Sequence, residues 1–260
     1  MKKQLADLQG SFDKRMVTID KVGVKGIQYP IIVEDRSKTT QHTIADLDIY
    51  VELPHESRGT HMSRFIEILN KYHEETLIPK LPEFLSDLKS ELHANASYIK
   101  LQFPYFVRKI APVSGIESLL GYDCIFEASL LEQYELVIGV IVPITTLCPC
   151  SKEISEYGAH NQRSLVTVKI TYSDFVWLEE IIDKVEEVAS CEIYPALKRV
   201  DEKYVTERAF DNPMFVEDIV REITLKLRAD KRVTSFYVES DNYESIHNHN
   251  AYACVKEIKG

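Results

Sequence analysis

Hydrophobic and polar positions along this chain change period in a regular order. Residues 43–53 alternate, with Ala45, Leu47, Ile49, Val51 and Leu53 set against Asp46, Asp48, Tyr50 and Glu52. That is the period of a half-buried strand. Residues 23–33 predict a strand before it, at an edge or irregular because it contains Pro30. A polar loop at 34–41 separates the two, and residues 54–60 end the second. Met62, Phe65, Ile66, Leu69 and Tyr72 then take helical spacing. A second helix follows, with Pro82 in its first turn and Phe84, Leu85, Leu88 and Leu92 on its apolar face. Strands return with Ile99, Leu101 and Phe103, and again over 119–130.

The second half repeats this order. Strands are expected over 134–145 and 164–171, the latter alternating Val166, Val168 and Ile170 against Thr167, Lys169 and Thr171. Trp177, Leu178, Ile181, Ile182, Val185 and Val188 mark a helix, with Ser173 or Asp174 as its cap. Phe215, Val216, Ile219, Val220 and Ile223 mark the next, with Asn212 as N-cap and Pro213 at the first helical position. Strands over 233–239 and 249–255 close the unit. The pattern predicts an α+β chain of two ββααββ units with antiparallel sheets: an N-terminal arm (1–20), a first module (21–132) and a second module (133–260). The repeat is one of pattern and not of residues, and the second copy carries nearly all the unusual polar groups.

Composition narrows the function. The net charge of −10 argues against general nucleic-acid binding but leaves room for an anionic small molecule in a local basic pocket. No apolar run approaches the ~20 residues of a membrane helix, and no apolar segment follows the first lysines as a secretory signal would require. Five scattered cysteines read as reduced, so the expected compartment is the cytoplasm. Cys124 and Cys254, in strand-like runs, read as buried apolar fillers, and Cys191 as inert.

The densest chemistry lies in residues 148–163, CPCSKEISEYGAHNQR, between two predicted strands. Cys148 and Cys150 are one residue apart, closer than the usual zinc spacing, so at most one is expected to hold a metal. Further ligands would come from His160, from His247 or His249, and from a carboxylate. His42, His55, His61, His73 and His93, all in the first half, have no grouped partners in sequence. His247 and His249 share a face if the last strand has begun there; otherwise only one reaches a given site. Composition and spacing lead no further than a mononuclear Cys/His site.

Three separated segments carry a resemblance: TTLCPCSKEIS with GAHNQR, then VDEKYVTERAFDNPMFVEDIVR, then IHNHNAYA. With YPIIVED and GTHMSRF in the first half, they resemble the GTP cyclohydrolase I family in its type IB branch. The resemblance implies a bimodular tunnelling fold, whose sheets assemble into barrels on oligomerisation. It also implies a homo-oligomer, dimer or tetramer, with active sites between subunits. The implied reaction takes GTP and water to 7,8-dihydroneopterin triphosphate and formate, with one divalent metal per site: zinc, with manganese or iron(II) also accommodated.

By the same resemblance the metal ligands are Cys148, His160, Glu202 and His247, and Cys148 is also catalytically important. Asp201 against Glu202 is undecided by the residues alone. Glu217 is the guanine anchor, with Asp218 as the alternative. Lys152, Arg163, Lys203, Arg208 and Arg64 are candidates for the triphosphate, and Glu153 and His249 for proton transfer. Two other readings use the same residues. One is a tunnelling-fold nitrile reductase, using Cys148 as nucleophile with NADPH. The other is a non-enzymatic purine- or pterin-binding module with structural zinc.

Overall fold

A computed structural model of the protein describes residues 9–37, 39–72 and 77–259; His73 lies outside them. The elements are β1 (Ile19–Glu34), β2 (Thr40–Leu53), α1 (Met62–Asn70), α2 (Leu81–Glu91), β3 (Ser97–Ile110), β4 (Glu117–Leu130), β5 (Tyr134–Leu147), α3 (Pro149–Ile154), β6 (Asn161–Tyr172), α4 (Leu178–Glu186), β7 (Cys191–Glu192), α5 (Arg199–Asp211), α6 (Val216–Ala229), β8 (Val233–Asn242) and β9 (Ala251–Ile258). The strands hydrogen-bond in the order β1-β2-β3-β4-β5-β6-β8-β9, with β7 paired to β5. The ββααββ succession is present twice, and the second copy gains α3, β7 and α5. Among the described residues, no helix is long and apolar enough to cross a membrane.

The chain divides into two compact units that do not follow chain order. The first holds the described residues of Met1–Glu34, Thr40–Phe103 and Ile125–Leu136; the second holds those of Asp35–Thr39, Pro104–Cys124 and Val137–Gly260. In the first unit, β1 and β2 pair antiparallel along their whole length. Gly23 tolerates no side chain there, because a Cβ would lie 2.0 Å from the Ile49 carbonyl oxygen. Phe65, Ile68 and Leu69 of α1 and Phe84, Leu85 and Leu88 of α2 are buried, as their spacing predicts. The arm runs antiparallel to residues 56–59, with Phe12 bridged to Ser57.

The second unit is built on rows of facing apolar residues. Val140 lies opposite Val168, Val168 opposite Val238, and Val238 opposite Val255. Ile138, Ile170 and Phe236 form the next row. Helix α6 packs on β8 and β9 through Ile219, Val220, Ile223 and Leu227, all buried.

Several expectations are corrected here. Helix α4 starts at Leu178 with Trp177 as N-cap. Ser173 and Asp174 both lie before that cap, and the Ser173 N–H and hydroxyl are turned to the Arg232 carbonyl. Asn212 does not cap α6. It closes α5, where its N–H and its side-chain amide both donate to the Arg208 carbonyl, and Phe215 is the N-cap of α6. The last strand starts at Ala251, so His249 precedes it. Cys124 and Cys191 are buried, but Cys254 is exposed, since β9 ends the strand order and its alternate residues face outward.

Candidate active site

At one end of the second unit the apolar rows give way to a buried polar cluster. Thr146, Gln162, Ser164, Ser240 and Asn242 are all buried, and each has a partner in it. The Thr146 and Ser164 hydroxyls lie 2.9 Å apart, and Ser240 donates to Asn242 Oδ1 at 3.0 Å. Gln162 Nε2 donates to Thr146 Oγ1 at 2.9 Å, which turns Gln162 Oε1 toward His160 Nδ1, 3.1 Å away. In that arrangement Nδ1 carries the proton and Nε2 keeps its lone pair free. Glu244 Oε2 stands 3.9 Å from the same Nδ1, with both side chains largely buried.

The stretch 148–163, between β5 and the body of β6, is part helix and part strand. It contains α3 and the start of β6. Cys148 is the N-cap of α3; its Sγ accepts only a weak 3.5 Å bond from the Ser151 N–H, and its own N–H bonds the His160 carbonyl. That backbone bond sets Cys148 and His160 side by side. Cys150, one residue into α3, is exposed. Helix α6 is brought to the same end by the Met214 N–H, which bonds the Leu147 carbonyl at 3.0 Å.

The two Asp–Glu pairs divide alike. Asp201 is fully buried; its Oδ1 accepts the Val113 and Ser114 N–H groups and its Oδ2 the Lys198 N–H, each at 2.8 Å. Glu202 beside it is exposed. In α6, Asp218 accepts the Phe215 N–H at 3.2 Å and pairs with Arg221, while Glu217 is exposed. In each pair the aspartate is engaged by backbone and the glutamate side chain is free to meet a ligand.

The basic candidates differ in the same way. Lys152 donates to the Phe210 carbonyl and lies over the Phe210 ring, tying α3 to the end of α5. Lys203 pairs with Glu207 one turn on, Arg208 with Glu192 at 3.5 Å, and Arg64, in the first unit, with the Glu91 carbonyl. Arg163 is exposed and lines a cavity of about 310 Å³ with Thr145, Asn161, Glu192, Tyr194 and Thr206. A second cavity of about 950 Å³, lined by Leu147, Tyr157, Asn161, Thr206 and Phe210, adjoins it and shares Asn161 and Thr206 with it. Glu153 is exposed on α3. The His247 and His249 rings, both exposed, stack at 5.1 Å and 14°.

Among the described residues, no three His, Cys, Asp or Glu side chains of one chain come together closely enough to hold a metal. The donor atoms nonetheless suit one: the Cys148 thiol, His160 Nε2, the Glu202 carboxylate and the His247 ring are all open to a ligand. The sequence does not mark Gln162 or Glu244 as partners of the site, and it offers Asp201 only as an alternative ligand to Glu202. Gln162 and Asp201 lie inside the motif segments and Glu244 does not, and the role of each is set by contacts that the fold supplies.

A family model described as type I GTP cyclohydrolase folE2 matches residues 5–253. The GTP cyclohydrolase FolE2 of Citrifermentans bemidjiense is 53% identical over 258 residues, 99% of this chain and 97% of that protein. The GTP cyclohydrolase FolE2 of Nitrosococcus oceani is 51% identical over 260 residues, 100% of this chain and 97% of that protein. Among solved structures, a highly active mutant of Bacillus sp. TB-90 urate oxidase superposes with a TM-score of 0.53 at 11% identity, covering 93% of this chain and 100% of that one. At that identity the likeness is one of fold, and it agrees with the bimodular tunnelling fold. Neither a nitrile reductase nor a non-catalytic binding module accounts for relatives of this identity and coverage. The chain belongs to the type I GTP cyclohydrolase folE2 family.

Proposed function

We infer that the chain converts GTP and water to 7,8-dihydroneopterin triphosphate and formate, a reaction of folate biosynthesis, at a site with one divalent metal. Membership of the family carries the reaction. The division of each Asp–Glu pair into an engaged aspartate and a free glutamate supports the residue roles. Cys148, His160, Glu202 and His247 would hold the metal, zinc by the mixed sulfur, nitrogen and oxygen set, with manganese or iron(II) also suited. When bound, such an ion supplies a Lewis acid that makes water a nucleophile near neutral pH.

The remaining work falls to the chain. The Glu217 carboxylate, held on the first turn of α6, offers two acceptors to the adjacent N1–H and 2-amino donors of guanine. Arg163, exposed on the wall of its cavity, is the base most available to the triphosphate. Lys152, Lys203, Arg208 and Arg64 would each have to leave or share a present partner. Glu153 and His249, both exposed, are the groups proposed to move protons as the imidazole ring opens. A homo-oligomer, dimer or tetramer, is supported by β9, which ends the strand order with Tyr252 and Ile258 exposed. Barrel closure through such edges would bring a second copy to the site. Free cysteines fit a reducing compartment such as the cytoplasm.

The test is turnover. Metal-stripped protein reloaded separately with zinc, manganese or iron(II) is incubated with GTP, and formate and oxidised-pterin fluorescence are measured. Cys148→Ala should abolish both while the oligomer survives. Full activity in that variant, or activity indifferent to a strong chelator, would overturn the metal assignment.

A further inference from the structure

We propose that Asp201 is a positioning residue, which fixes the first turn of α5 and so sets the aim of Glu202. The inference rests on the reading of Glu202 as a metal ligand.

It starts from how α5 is held. Most helices of this length bury an apolar stripe. Of the thirteen residues of α5, only Asp201 and Ala209 are buried. Val200, Tyr204 and Phe210 are exposed. Polar ties take the place of an apolar face. At the far end, Arg208 reaches Glu192, which also accepts from Lys109 at 2.6 Å, and the Phe210 carbonyl accepts from Lys152. At the near end the tie is Asp201.

Its geometry is specific. Oδ1 receives two consecutive N–H groups, Val113 and Ser114, from the turn between β3 and β4. Oδ2 receives the N–H of Lys198, the residue preceding α5. One carboxylate thus caps the helix and pins it to a hairpin turn more than eighty positions away in sequence. Glu202 follows directly, with its backbone N–H on the Lys198 carbonyl and its carbonyl on Thr206 Oγ1. With no apolar face to hold this turn, the direction of the Glu202 side chain depends on the Asp201 bonds. Partners that orient metal ligands are typically worth about 10–100-fold in metal affinity.

The experiment measures zinc and manganese affinity of full-length metal-stripped protein, by competition with a chromophoric chelator well below the melting temperature. Amide exchange at Val113 and Ser114 is followed in parallel. Asp201→Ala should weaken metal about 10–100-fold and speed exchange at both amides. Asp201→Asn, which keeps Oδ1 for the hairpin but places an N–H₂ against the Lys198 N–H, should lose less, and it decides the matter if the alanine variant does not fold. Ile223→Ala, which destabilises α6 without touching α5, should leave metal affinity unchanged; this separates aim from stability. Wild-type affinity in a folded Asp201→Ala, or in Asp201→Asn with faster exchange at both amides, while Glu202→Ala loses metal, would overturn the proposal. Wild-type affinity in Glu202→Ala would instead overturn the ligand assignment beneath it.

Discussion

Helices α5 and α6 follow one another in the chain, and each opens on a neighbouring aspartate and glutamate, yet they are held by opposite means. Helix α6 buries Val216, Ile219, Val220, Ile223, Thr224 and Leu227 against the sheet. Helix α5 buries one alanine and one carboxylate. Apolar packing is non-directional and tolerates small shifts, whereas a helix tied by N–H to carboxylate bonds is fixed at particular points and left solvated between them. The contrast fits the proposed roles. The guanine anchor would stand on a helix that is part of the core. The metal-binding glutamate would stand on one whose position is set by a few polar contacts and which lines two adjoining cavities.

The largest effect is expected from the ionic group behind α5. Lys109 lies 2.6 Å from both Glu186 and Glu192, and the Lys109 and Glu186 side chains are 10% and 8% exposed. Burial pulls the lysine down, but the two carboxylates outweigh it and raise it overall. Burial pushes Glu186 up, and Lys109 opposes this. Lys109→Met leaves buried Glu186 without its cation and Glu192 with Arg208 alone, so unfolding in denaturant at neutral pH should show a loss of about 3–5 kcal/mol. A carboxylate whose pKa is higher folded than unfolded takes up a proton on folding. Its penalty is therefore full above the folded pKa and shrinks as pH falls toward the unfolded value, roughly 4.3 for Glu. The variant should accordingly recover stability relative to wild type on acidification. A deficit that grows in acid would mean that Glu186 is not the stranded charge.

Next in size is the apolar side of the comparison. Ile223 is fully buried, and Ile223→Ala should cost about 2–5 kcal/mol by the same denaturant measurement. Val200→Ala on α5, where the side chain is 53% exposed, should stay within about 0.5 kcal/mol. Equal losses would erase the distinction between the helices and show that α5 buries an apolar face in the assembled protein.

The same distinction explains what the sequence reveals. Strand rows such as Val140, Val168 and Val238, and the periodic face of α6, announce themselves because burial imposes a period on residue type. Helix α5 gives no such period, α3 has only six residues and β7 two, so no pattern predicts them. The expected caps fail because Ser173 and Asn212 are good capping types already engaged elsewhere, by Arg232 and by the end of α5. In the site, Cys148 and His160 are visible because a short motif carries both. The roles of Gln162 and Asp201 are not, because a buried polar side chain takes its role from a partner such as Thr146 or Val113 that only the fold supplies.

The smallest stability effects give the finest test, within α6 itself. Asp218 Oδ2 accepts the Phe215 N–H and sits at the positive end of the helix dipole, so Asp218→Ala should cost about 1 kcal/mol in unfolding and leave GTP turnover near wild type. Glu217, one residue earlier and exposed, should show the reverse. Glu217→Gln keeps the size of the side chain but turns one of two acceptors into a donor facing the guanine donors. Hydrogen bonds to charged groups are worth about 1.5–3 kcal/mol, so kcat/KM for GTP should fall at least about tenfold. Stability should move by less than about 0.5 kcal/mol, and metal content should not change. A Glu217→Gln variant that loses metal would place Glu217 among the ligands. Loss of GTP use in Asp218→Ala with Glu217→Gln unaffected would exchange the two roles and dissolve the parallel between the pairs.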